Sequence, residues 1–67
     1  MFYCFRGRVY NCDMLAEATT DVEDGNYIIL LIFAGTYKRQ IVKLGFDTQE
    51  HRNAEWNNLI NLLTGSA

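Results

Sequence analysis

No proline occurs in the 67 residues of this chain, and no repeat or linker-like stretch divides it. One small domain over residues 1–67 is the expectation. Such a domain buries only roughly 60% of the surface its unfolded chain exposes. Cysteine is scarce as well: Cys4 and Cys12 are too few for the disulfide framework of a secreted mini-domain. In one extended strand they would stand roughly 26 Å apart. A bridge needs Cα atoms within about 7 Å. Pairing them would require a fold-back at Arg6-Gly7-Arg8, so reduced thiols are expected. Positive charge is not in excess. Six Lys and Arg against eight Asp and Glu leave a net charge of −2, which argues against generic binding to nucleic acid or anionic membranes. The longest apolar run is less than half the roughly 20 residues of a membrane helix. The start, MFYCFRGRVY, lacks the basic lead-in and continuous apolar core of a secretory signal. Cytoplasmic residence is expected by default.

Apolar residues make up 49% of the chain and aromatics 13%, an ordinary globular content. Phe2 to Asn11 (FYCFRGRVYN) reads as one strand, with Gly7 marking a bulge or bend. Met14 to Val22 alternates: Met14, Ala16, Ala18 and Val22 lie on one side, Glu17, Thr19 and Asp21 on the other. That period favours a strand over the rival short helix. Asp24-Gly25, between two strand-like runs, suits a type I′ hairpin turn. Asn26 to Ala34 follows as the central strand, Gly35-Thr36 as a type II′ turn, and Tyr37 to Leu44 as a half-solvated edge strand. Asp47 as N-cap with Glu50 three residues later resembles a capping box. The helix that opens there carries Trp56, Leu59, Ile60 and Leu63 as its buried core stripe, and Gly65 is placed to stop it. Its polar side holds Asn53, Asn57, Asn58 and Asn61, mediocre helix formers, so packing through Trp56 must supply much of its stability. The expected fold is α+β, a four-stranded antiparallel meander followed by one C-terminal helix packed on one face.

The run YIILLIF raises the main question, because a strand points successive side chains to opposite faces. One helix covers one face of a sheet. Of the two parity sets, Ile28, Leu30 and Ile32 or Ile29, Leu31 and Phe33, one should meet the helix and the other needs separate cover. Leaving three such side chains wet forfeits roughly 1.5–3 kcal/mol each. The sheet could curl into a half-barrel and bury both sets. A second copy of the chain is the favoured answer, since closed two-fold dimers are the commonest oligomers. Which set faces inward is not readable from a strand apolar on both sides.

Residues suited to chemistry are few. His51 is the sole histidine, and with Cys4 or Cys12 it could be drawn as a thiolate–imidazole pair. No orienting group or nucleophile motif supports that, and a surface histidine near a helix start is the plainer reading. Asp13, Glu17, Asp21, Glu23 and Asp24 gather carboxylates, but their spacing does not fit an EF-hand loop. Solvated turn and strand faces explain them, and no metal site is expected. Arg6 and Arg8 share a strand with Tyr10, and Tyr37, Arg39 and Lys43 share another. Aromatic and basic sheet faces can stack bases and neutralise phosphates. In a simple meander, however, these two strands lie at opposite edges and form no common surface.

The segment YKRQIVKLGFDTQEHRNAEWNNLINLL resembles the end of pleckstrin-homology domains. There a last strand leads into a helix with a single tryptophan and apolar residues after it, as with Trp56, Leu59 and Ile60 here. The resemblance covers under half the chain and implies a strand and a helix over that stretch. The N-terminal hairpin that binds lipid in those domains has no matching residues, so no lipid-binding role is implied. The leading expectation is a small protein–protein interaction module, homodimeric through the open sheet face, with no enzymatic role and no cofactor. The alternative is binding of nucleic acid or another anionic ligand through Arg6, Arg8, Tyr37, Arg39 and Lys43; the charge balance disfavours nucleic acid.

Overall fold

The computed structural model describes residues 1–35 and 37–65. Strand β1 (Phe2–Phe5) and β2 (Arg8–Asn11) form an antiparallel hairpin, and a short 3-10 turn over Cys12–Met14 leads on. Strands β3 (Leu15–Glu23), β4 (Asn26–Phe33) and β5 (Gln40–Phe46) form a separate antiparallel sheet with β4 in the middle. Helix α1 (Gln49–Thr64) closes the chain. The class is α+β with one C-terminal helix, as expected, but the strands make two sheets and not one four-stranded meander.

The difference lies at Arg6-Gly7. The expected single strand over Phe2 to Asn11 folds back there, with φ of 49° at Arg6 and 78° at Gly7. Parity explains why. In one continuous strand Tyr3 and Phe5 would face away from Tyr10. A two-residue turn sets Tyr3 opposite Tyr10, so all three rings point the same way. Positive φ is unfavourable for a residue with a Cβ, by roughly 1–2 kcal/mol. Arg6 recovers part of that by stacking its guanidinium 4.7 Å from the Phe5 ring centroid and 5.4 Å from that of Phe46. The fold-back does not pair the cysteines. Cys4 sits opposite Val9, and Cys4 and Cys12 are both free thiols.

The Asp24-Gly25 turn forms as expected, with φ of 52° and 79°. Of the expected strand over Met14 to Val22, Met14 falls in the 3-10 turn and the rest lies in β3, strand and not helix, although a bulge between Leu15 and Glu17 shifts the alternation. Leu15 therefore turns inward, and Met14 stays exposed. The expected Gly35-Thr36 turn falls partly on Thr36, outside the described residues. The last strand begins at Gln40, not at Tyr37. Helix α1 is capped by Thr48, whose Oγ1 accepts from the His51 amide at 3.2 Å. Asp47 is not the cap, and no capping box with Glu50 forms. Gly65 ends the helix at φ 72°, its amide bonded to the Leu62 carbonyl.

Hairpin and helix pack side by side on the same face of the sheet. The core gathers Ile29, Leu31 and Phe33 of β4, Leu44 and Phe46 of β5, Leu59 of α1 and Tyr3 of β1. Tyr10 stacks on Phe33 with centroids 5.9 Å apart, and Phe5 meets Phe46 at 5.4 Å. Of the expected helix stripe, Leu59 is fully enclosed, while Trp56, Ile60 and Leu63 are half-buried. Arg52 is buried as well. It lies 5.5 Å from the Tyr27 ring centroid and donates from Nη1 to the Asp21 carbonyl at 3.0 Å, tying the helix start to β3.

Candidate functional site

The sheet's opposite face carries Ile28, Leu30 and Ile32, so the parity of β4 is settled: Ile29, Leu31 and Phe33 point into the core. Cross-strand partners share a face, which adds Glu17, Thr19 and Asp21 from β3 and Ile41 and Lys43 from β5. The sheet is three-stranded, with β3 and β5 as its edges. Part of the expected cover is local. Lys43 Nζ reaches across β4 to Glu23 at 2.9 and 3.0 Å, and the register places Ile28 beneath that diagonal. Ile28 is accordingly only 6% exposed. Leu30 and Ile32 are half-buried, and Ile41 is 60% exposed. The face is apolar along its middle and acidic along β3.

A second feature lies between the hairpin and β5. Because the chain folds back at Gly7, β2 comes near β5, and a cleft lies between the hairpin and the β4–β5 part of the sheet. Its larger part, about 490 Å³, is lined by all of β2 together with Met14, Phe33, Ala34, Gln40 and Val42. A smaller part, about 280 Å³, adds Phe5, Arg6, Lys43 and Leu44. Arg8, Tyr10 and Val42 line both parts. The separation of basic residues expected for a meander is thus overturned, since Arg6, Arg8 and Lys43 share one cleft. The Lys43 ammonium, however, is engaged with Glu23. Arg39 and Tyr37 lie in the connection before β5 and do not line the cleft, and Tyr37 is 98% exposed.

The remaining candidates for chemistry stay apart. His51 is exposed in the first turn of α1. Among the described residues no three His, Cys, Asp or Glu side chains gather as a metal site. Asp13 holds the N-terminal ammonium at 3.3 Å, and the Asp21 carboxylate accepts from the Val22 amide at 2.7 Å. Burial pushes the Cys12 thiol up, with Asp13 adding to the effect and the N-terminal charge opposing it.

The polar pair that reading the sequence missed is Tyr3 with Glu55. The phenol donates to Glu55 Oε2 at 2.5 Å. Burial, and then this bond to a carboxylate, raises Tyr3 well above its ordinary value of 10.0. The folded value exceeds the unfolded one, so the stabilisation is complete below about pH 10 and is lost as pH climbs beyond it. In that range the unfolded chain releases a proton that the folded chain keeps. Tyr3 should therefore ionise only together with alkaline unfolding, and Tyr3→Phe should flatten that loss of stability. Phenolate absorbance and circular dichroism, followed through one titration, check this. A Tyr3 signal completed before the fold changes would contradict it.

Comparison with protein-family models, with curated proteins and with solved structures finds no match to this chain. The resemblance to the end of pleckstrin-homology domains therefore goes no further than a strand (Gln40–Phe46) followed by a helix bearing Trp56. Among the described residues no helix is long and apolar enough to cross a membrane.

Proposed function

We propose that this chain is a small protein-interaction module, cytoplasmic and without catalytic chemistry, that pairs with a second copy through the outer face of β3–β5. The observation that carries the reading is Ile41, 60% exposed beside the half-buried Leu30 and Ile32, on a face that neither helix nor hairpin covers. Surface area supports it. A compact monomer of this mass exposes about 4,300 Å², whereas this one exposes 4826 Å².

Charge selects the arrangement. A two-fold axis across the strands would set β3 over β3 and carboxylate over carboxylate. An axis parallel to the strands sets Glu17 and Asp21 over the partner copy's β5, which carries Lys43 and Ile41. The face holds more acid than base even so, and two copies repel. Association should therefore strengthen as salt rises, the reverse of an ion-pair interface. Sedimentation across a concentration series at low and high salt tests this. A concentration-dependent dimer that tightens with salt, and is abolished by Leu30→Lys with the fold intact, supports the reading. A strict monomer at all concentrations overturns it.

A further inference from the structure

We propose that the cleft between β2 and β5 takes an extended acidic peptide, which adds as a strand to the free edge of β5. Three observations lead there. The first is backbone supply. β5 pairs with β4 on one side, β2 pairs with β1 on one side, and no described backbone hydrogen bond links β2 to β5. Each strand therefore has one edge without a described strand partner; on β5 it carries the backbone groups of Ile41, Lys43 and Gly45, of which Lys43 lines the cleft. Such edges template strand addition. The sheet's other edge, on β3, is less available because the Asp21 carboxylate already accepts from the Val22 amide and Thr19 Oγ1 donates to the Thr20 carbonyl.

The second observation is shape. The two parts of the cleft share Arg8, Tyr10 and Val42, so they form one continuous trough beside β5. Their volumes, about 490 and 280 Å³, fall within or near the usual range of ligand clefts, roughly 300–1,000 Å³. The seven residues of β5 run for roughly 23 Å, enough for a short strand. Its walls are braced by the Tyr10–Phe33 and Phe5–Phe46 ring contacts, which hold the hairpin against the sheet. The strand would enter a site already formed, with little ordering of the protein to oppose binding.

Charge is the third. The chain as a whole has more acid than base, yet among the described residues no carboxylate lines either part of the cleft, while Arg6 and Arg8 do. Arg8 is exposed and lies on the same hairpin face as Tyr10. A guanidinium there matches a carboxylate of an incoming strand and repels a basic one. Alternation along the strand would set its apolar parity against Tyr10, Val42 and Phe33 and its acidic parity on the outer face with Lys43, leaving the exposed Arg8 to attract those carboxylates from the rim of the cleft.

The probes are blocked peptides of alternating Glu and Val, of alternating Lys and Val, and of Glu with N-methylated Val, which keeps charge and shape but loses its amide donors. Binding is read by fluorescence anisotropy and by backbone amide shifts. The Glu–Val peptide should bind, move the amides of Ile41, Lys43 and Gly45, whose backbone groups face away from β4, and weaken as salt rises. Arg8→Glu, an exposed change, should lower its affinity about tenfold or more with an unchanged circular dichroism spectrum. The Lys–Val and N-methylated peptides should fail. Equal binding of the N-methylated peptide would overturn strand addition, and equal binding of the Lys–Val peptide would overturn the charge argument. A single-stranded oligonucleotide that displaces the Glu–Val peptide at lower concentration would replace the peptide by nucleic acid. Absence of binding by the Glu–Val peptide would remove the site.

Discussion

Leu31→Lys should leave the chain without a folded state, while Leu30→Lys, one residue away, should fold like the parent. Leu31 is 1% exposed and packs among Ile29, Leu44 and Leu59, with no carboxylate in that cluster to meet an ammonium. Burying an unpaired charge costs several kcal/mol even after relaxation. A domain of this length has roughly 3–10 kcal/mol in all, so the substitution removes most or all of it. Leu30 faces outward and is half-buried. A lysine there can run its stem along the sheet and keep its ammonium in water near Glu17 and Asp21. Far-UV circular dichroism and a urea melt on both variants decide the matter. A cooperative melt for Leu31→Lys and none for Leu30→Lys would mean that the parity of β4 is reversed.

That parity shows where reading the residues ran out. In β3 the polar positions Glu17, Thr19 and Asp21 announced their outward face, and the structure puts them there. In β4 both faces are apolar, and nothing in YIILLIF distinguishes them. The choice is made by partners distant in sequence: Tyr3, Tyr10 and Leu59 reach the odd-numbered set. The Asp24-Gly25 turn was legible because both central positions are types that tolerate positive φ. The Arg6-Gly7 turn was not, since arginine rarely takes that conformation. Its signal was the parity clash among Tyr3, Phe5 and Tyr10, which becomes visible only if all three rings are required to be inward.

The cleft followed from that same turn. With Phe2 to Asn11 taken as one strand, Arg6 and Arg8 lay far from Lys43. Folding back at Gly7 brings all three to the β2–β5 boundary. It also reduces the apolar surface that a second copy would have to cover. Helix and hairpin together occupy one face, and the other face roofs Ile28 with its own Lys43–Glu23 pair. Arg52 and Glu55 could not have been singled out from sequence, because polar residues on a helix are ordinarily solvated. Each is drawn inward by an aromatic from another element, Tyr27 for Arg52 and Tyr3 for Glu55.

Within the helix stripe the weight shifts from Trp56 to Leu59. Tryptophan is the largest side chain of the four and was the natural anchor to expect, but its indole is only half-buried, whereas Leu59 is 0% exposed. Truncating an enclosed leucine costs about 2–5 kcal/mol, depending on how far the site collapses. Collapse is limited here, because Leu59 shares one core cluster with Ile29 and Leu31 of the sheet and Tyr3 of the hairpin. A half-exposed indole gives up only part of the roughly 3–5 kcal/mol of a buried one, and alanine returns a few tenths through its better helix propensity. Leu59→Ala should therefore be largely unfolded at room temperature, while Trp56→Ala keeps a cooperative transition at a lower urea midpoint. Equilibrium urea denaturation followed by circular dichroism, which does not depend on the lost indole, compares the two directly. A lower midpoint for Trp56→Ala than for Leu59→Ala would return the anchor to the tryptophan and place the half-exposed indole at the centre of the core.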